Sequence, residues 1–304
     1  MATRKDGYGY ATLALIFLSL VWGYNWVMLK VALKDAGPIE FATLRSVLGA
    51  LSLLALLPLL GKPLRPREIP GTLLLGLLQT TGFIGLVMWA LVAGGAGKTA
   101  VLVYTMPFWV IILAWPLLGE RVSGAQWFPL LLALAGLILI LKPWTLHSSL
   151  ASEALAILAG VCWAASVIVA KKLRQRTALD LLSLTAWQML FGSVPLVVIA
   201  LWIPEPAIHW TGAFITALLF NVLPANALAW LLWLYVLHKL PAGVAGMGTL
   251  AIPIIGVLAA WLQLGERPGE FETAGIVLIL IALGMISWHT LRQQRNAIPG
   301  IPRE

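Results

Sequence analysis

Ten long apolar runs, separated by charged or Pro/Gly-rich breaks, leave this chain one kind of solvent. They run from Tyr10 to Val31, Phe41 to Leu60, Gly71 to Val92, Ala100 to Leu118, Gln126 to Leu141, Ser152 to Ala170, Leu181 to Trp202, Thr211 to Leu237, Ala242 to Leu264 and Thr273 to Thr290. A helix needs about 20 apolar residues to cross the hydrocarbon core of a bilayer. The fifth run is short, and Lys239-Leu240-Pro241 is the thinnest of the breaks. Across 304 residues, 61% are hydrophobic and 11% charged, with a mean hydropathy of +0.94. A soluble domain carries about 25% charged residues and has no means of hiding so much apolar surface. The fold class expected is an all-α membrane protein of ten transmembrane helices. Loops this short leave no room for a soluble catalytic or nucleotide-binding domain.

Arg4-Lys5 ahead of an apolar stretch resembles a signal peptide, but the run is longer than such a peptide's core. It also has a partner later in the chain, so the first helix is expected to stay uncleaved. Lys and Arg set the orientation. With the N-terminus in the cytoplasm, fourteen of the 20 basic residues fall on inside segments, among them Arg65, Arg67, Arg121, Lys171, Arg174 and Arg292. Five fall outside (Lys30, Lys34, Lys98, Lys142, Arg267) and Arg45 lies within a span. Both termini are therefore expected inside. This asymmetry accounts for the net charge of +8 without invoking nucleic acid. The single cysteine, Cys162, lies inside an apolar run and forms no intrachain disulfide.

The chain is written twice. Trp22 precedes Lys30 by eight residues, and Trp163 precedes Lys171 by eight. Pro107 is followed by Trp115 and Leu118-Gly119-Glu120-Arg121; Pro253 is followed, at identical spacings, by Trp261 and Leu264-Gly265-Glu266-Arg267. The expected repeats are residues 1–147 and 148–304. Five helices per copy is an odd number, so the second copy enters the membrane upside down, and inverted repeats give alternating access a simple physical basis.

These features resemble the EamA domains of the drug/metabolite transporter superfamily, over nearly the whole chain. The resemblance implies export of small metabolites, especially hydrophobic or aromatic amino acids, across a bacterial inner membrane. It also implies a central cavity lined by the first four helices of each half, the fifth packing peripherally.

Candidate cavity residues follow from polarity at depth. Trp22 and Asn25, three residues apart, share a helix face. Trp163 and Ser166 hold the equivalent places. An indole beside a hydrogen-bonding group suits a ligand with an apolar body and a polar head, although Asn and Ser also serve plain helix packing. Tyr104, Gln79 and Asn226 are further candidates. Pro107 and Pro253 are read as mid-span kinks that free the carbonyls of Val103 and Thr249, and Pro224 as a similar break. Arg45 is the one charge within a clear span, with Gln188 near the equivalent place. It has three readings: a substrate carboxylate's partner, a snorkelling side chain, or a partner of Glu40. Glu120 and Glu266, at helix C-termini where an anion is disfavoured, call for cation partners and a role in gating, or else are solvated end caps.

Other signals fail. Gly97-Lys98-Thr99 imitates the end of a phosphate loop but lacks its first glycine and its strand, so no ATP drive is expected. The four histidines have no metal-ligand spacing. No Asp or Glu lies mid-span, which favours facilitated diffusion or exchange over ion coupling. No cofactor or metal is expected. The partners are a small-molecule substrate and the bilayer, with no nucleic acid, and a monomer is compatible with the plan. The rival readings are drug or lipid-headgroup efflux and a membrane-embedded transferase on lipid-linked substrates.

Overall fold

Backbone groups in hydrocarbon have no water to bond, so each span must satisfy its own N–H and C=O groups. The computed structural model describes residues 4–93, 102–120, 124–141, 144, 150–264 and 268–296, and among them there is no strand. Gly97-Lys98-Thr99, Arg121, His147, Glu266-Arg267 and the expected repeat boundary lie outside the described residues.

The helices are α1 (Arg4–Ala32), α2 (Pro38–Leu59), α3 (Ile69–Gly76, continuing through Leu77–Gly85 to Leu86–Ala93), α4 (Met106–Leu118), α5 (Gly124–Leu141), α6 (Leu150–Arg176), α7 (Leu181–Trp202), α8 (Gly212–Phe220, continuing through Asn221–Leu228 to Ala229–Lys239), α9 (Ala242–Gly248 and Ala251–Leu264) and α10 (Glu270–Asn296). Among the described residues, seven helices are long and apolar enough to cross a membrane: α1, α2, α3, α6, α7, α8 and α9. Helix α4 and residues 127–140 of α5 are apolar but shorter. Large apolar side chains such as Leu13, Ile16, Phe17 and Leu20 of α1 and Leu201 of α7 point outward, as a lipid-facing surface requires. Trp144, Trp202, Trp210 and Trp288 are all exposed.

Two features depart from the expected straight spans. Leu77–Gly85 of α3 and Asn221–Leu228 of α8 are π-helical, a wider winding that is frequent at functional sites. In α8 this absorbs Pro224 without the expected break. Pro107 and Pro253, expected as kinks within continuous helices, instead lie in the first turn of a restarted helix. Turns at Tyr104–Thr105 and Thr249–Leu250 precede them. A first-turn proline needs no hydrogen-bond donor, so restarting there removes the conflict that a kink would carry.

The principal helix pairs are α1–α8, α1–α9, α2–α7, α2–α8, α3–α6, α3–α7, α4–α6, α4–α9 and α5–α10. In lipid, close backbone approach replaces the hydrophobic effect between helices, so crossings favour glycine. A Cβ at Gly192 of α7 would overlap the Gly76 carbonyl of α3, and one at Gly76 would overlap the Gln188 carbonyl. Gly136 and Gly275 make the same mutual approach between α5 and α10.

The loops interlock at both ends. Glu205 accepts the N–H groups of Ile39 and Glu40 at 3.1 and 2.8 Å, capping α2 from the α7–α8 loop. Asp35 accepts the Thr211 hydroxyl at 2.7 Å, and its carbonyl accepts the His209 N–H at 2.8 Å. At the start of α7, Asp180 caps through the Ser183 N–H at 3.0 Å and pairs with Lys62 at 3.0 Å. Thr177 donates to Glu68 at 2.9 Å.

Gly192→Val should destabilise the protein by about 1–3 kcal/mol or more, as overpacking does, whereas Gly284→Ala, with open space around it, should be near neutral. Thermal unfolding in detergent measures both. Partial burial works against ionisation of Asp180, but the Ser183 N–H and Lys62 outweigh it and hold the carboxyl below its ordinary value. That contribution is present above the unfolded-state pKa of about 3.9 and is lost as pH falls through the lower folded value. Asp180→Asn should therefore lower the melting temperature at pH 7, and the gap to wild type should shrink in strong acid.

Candidate functional site

Helix α1 brings Trp22, Asn25 and Trp26 to one side, as their spacing requires. Opposite them the widened stretch of α8 presents the Ala225 carbonyl, which accepts the Trp22 indole N–H at 2.9 Å. Trp230 and Trp233, three residues apart on α8, complete an aromatic circuit with Trp22, Phe83 and Trp163. Centroid separations run 4.9 Å (Trp22–Trp230), 6.3 Å (Trp230–Phe83), 6.4 Å (Phe83–Trp163), 4.9 Å (Trp163–Trp233) and 6.1 Å (Trp233–Trp22). Four helices are thereby tied together by ring contacts worth about 0.5–1.5 kcal/mol each beyond their burial.

Beside this circuit lies a cavity partly open to the outside, with about 690 Å³ of empty space when the open mouth is included. Trp22, Asn25, Tyr104, Trp163 and Arg45, all singled out in the sequence, line it together. Trp26, Phe83 and Trp230 also line it. The sequence reading missed Phe83 and Trp230, and the Trp230/Trp233 spacing on one helix face was the signal available. Beyond Trp26 the walls come from the later turns of α1 and α3 and the residues just before α4: Leu29, Val87, Met88 and Val103. The walls hold three buried polar atoms without hydrogen-bond partners: Asn25 Oδ1, Arg45 Nε and the Tyr104 hydroxyl. Each residue is less than 9% exposed. Buried polar atoms are normally satisfied, so each orphan marks a place where something else bonds.

Arg45 neither snorkels nor pairs with Glu40. It is 7% exposed and donates through Nη1 to Asn221 Oδ1 at 3.0 Å and through Nη2 to Asn226 Oδ1 at 3.3 Å. Asn226 donates back to the Arg45 carbonyl at 2.9 Å, and Asn221 is held by the Ala217 carbonyl at 2.9 Å. Asn226 thus stands behind Arg45 and is not among the lining residues. Gln79 and Ser166 also lie behind the wall, with Gln79 Oε1 and Ser166 Oγ 3.5 Å apart between α3 and α6. The Ser166 hydroxyl donates to the Trp163 carbonyl at 2.6 Å, and Gln79 Nε2 has no partner.

The far end of α4 is closed. Gly119 takes the left-handed conformation (φ +70) that only glycine adopts freely, and the Glu120 N–H returns to the Ala114 carbonyl at 3.3 Å. This cap aims Glu120 across the bundle. Its carboxylate accepts Lys171 Nζ of α6 at 2.8 Å and the Ala242 N–H at the start of α9 at 2.6 Å. The cation partner that Glu120 called for is Lys171. One carboxylate therefore joins three helices roughly 20 Å along α4 from the cavity, at 1.5 Å per residue.

Comparison with known proteins agrees with this architecture. The EamA-like transporter family matches residues 9–142 and again 150–288. Among curated relatives, an uncharacterized transporter of Bacillus subtilis, YoaV, is 30% identical over 90% of this chain and 95% of its own length. A probable amino-acid metabolite efflux pump of Salmonella typhimurium is 29% identical over 92% of this chain and 94% of its own. A solved crystal structure superposes with a TM-score of 0.82 at 17% identity, over 95% of this chain and 99% of that one, which shows a shared fold. With the family matched along both stretches, the chain belongs to the EamA-like transporter family and is a multi-pass membrane transporter.

Proposed function

We propose that this transporter exports small amphipathic metabolites, hydrophobic or aromatic amino acids foremost, across a bacterial inner membrane by alternating access and without ATP. The observation that carries the reading is the cavity: an aromatic wall for an apolar body beside unpartnered polar atoms for a head group. Among the described lining residues there is no carboxylate for a cationic drug. The amino-acid efflux relative supports the same substrate class. Transfer chemistry, the rival from another class, has no counterpart in a family and relatives named as transporters.

The moving parts are two five-helix halves, residues 1–147 and 148–304, of opposite topology with both termini cytoplasmic. Two matches to one family support the duplication. The helix pairing supports it further. Exchanging each helix for its counterpart five places on turns α1–α8 into α3–α6, α2–α8 into α3–α7, and α1–α9 into α4–α6, while α2–α7, α4–α9 and α5–α10 map onto themselves. In this orientation the Glu120 clamp closes the cytoplasmic end, and the cavity occupies the outward half. Alternating access then requires the clamp to open.

Uptake of labelled amino acids into liposomes holding the purified protein tests the reading, with Trp22→Ala and Trp163→Ala expected to raise KM about tenfold or more. Unchanged kinetics in both variants would remove the aromatic circuit from the site. Glu120→Gln, in a Cys162→Ser background carrying Val110→Cys, should raise cytoplasmic-side labelling of that buried position by several-fold to about tenfold, the scale of one charge-assisted hydrogen bond. Equal labelling with and without Glu120 would mean that the clamp is no gate.

A further inference from the structure

We propose that Arg45 is the anion-recognising group of the cavity, so that the transported molecule is a bulky-apolar carboxylate whose carboxylate is required for binding. This rests on the export reading above and narrows it. A guanidinium keeps its charge under all physiological conditions. Inside a membrane such a charge is expensive and is ordinarily paired or given a function. Arg45 has two partners, both neutral amides, and no carboxylate among the described residues. Asn221 and Asn226 take one N–H from each terminal nitrogen and fix the plane of the fork. They leave Nε, which is buried and unpartnered, on a group that lines the cavity.

The second half of the chain shows that the fold does not need this charge. Arg45 and Gly49 on α2 have the same spacing as Gln188 and Gly192 on α7. Gly49 packs against Val222 and Asn226 of α8, and Gly192 against Gly76 and Thr80 of α3. Arg45 bonds Asn226, and Gln188 accepts the Thr80 hydroxyl at 3.3 Å. Val222 and Asn226 are separated from Gly76 and Thr80 by one common offset, so these contacts correspond, while Leu75 stands where the first-half site has Asn221. One holds a neutral glutamine that is 0% exposed, and the other a cation. A helix crossing that packs with Gln on one side has no structural reason to bury Arg on the other.

The rest of the wall complements an acid of this kind. Arg presents a planar donor fork suited to a carboxylate. The faces of Trp22, Trp163 and Trp230 accept an aliphatic or aromatic side chain. Asn25 Oδ1 and the Tyr104 hydroxyl, both unpartnered, are acceptors for a 2-amino group when one is present. An amine lacking the carboxylate would meet a positive charge and be rejected.

The test uses two matched sets: phenylalanine, 3-phenylpropionate and 2-phenylethylamine, then leucine, 4-methylpentanoate and isopentylamine. Uptake into liposomes and quenching of the protein's tryptophan fluorescence are measured for each. The acids in each set should bind and enter, and the amines should be weaker by about tenfold to a hundredfold, the scale of hydrogen bonds to charged groups. Arg45→Gln, which copies the residue already packed at the matched site, should fold with a melting temperature near that of wild type. It should lose about the same factor for the acids and nothing for the amines. Amines bound as tightly as the acids by wild type would overturn the proposal while leaving the exporter reading standing. Acid binding unchanged in a folded Arg45→Gln would do the same. Should wild type carry none of the six compounds, the export reading fails and this proposal with it. The wild-type comparison decides even if the variant does not fold.

Discussion

Lipid tails are as apolar as leucine, so burying a leucine between two helices in a bilayer gains little over leaving it in the membrane. What holds this bundle together must therefore be contact of a kind lipid does not supply. Gly76 against Gly192 and Gly136 against Gly275 bring backbones to a separation that no side chain would permit. The aromatic circuit and the interlocked loop carboxylates add ring contacts and hydrogen bonds at the centre and the ends. Polar residues near the site lie one turn from such close approaches: Gln188 from Gly192 on α7, and Arg45 from Gly49 on α2.

The cavity and the Glu120–Lys171 contact share helices. Helix α4 begins beside the cavity at Met106 and ends in the Gly119 cap that carries Glu120. Its restart at Pro107, with a turn above it, separates the two functions along one rod. Helix α6 carries Trp163 in the aromatic circuit and, two turns later, Lys171 in the clamp.

Much of this was legible in the sequence, because the signals were long or repeated. The apolar runs, the paired Trp22 and Trp163, and a Glu in need of a cation follow from composition and helix electrostatics. The windings of α3 and α8 were not legible, since a π stretch has no local signature and only Pro224 hinted at one. The prolines misled because a mid-run proline is compatible with either a kink or a restart, and only packing decides. The setting of Arg45 was hidden for a different reason. Its partners are 176 and 181 residues away, and no local pattern reveals which helix will lie alongside. Gln79, Ser166 and Asn226 show the limit of reading polarity at depth: polar groups at the midplane include those that line a space and those that brace the liners from behind.

The difference between Arg45 and Gln188 has a bearing on how cargo would sit during a transport cycle. A duplicated scaffold, left to itself, would offer the same surroundings from either entrance, and a ligand would have two equivalent poses. One fixed cation breaks that equivalence. With Arg45 as the proposed anchor, an acid would meet it on the same helix whichever door stood open, and would cross without turning over, the same end foremost on leaving as on entering.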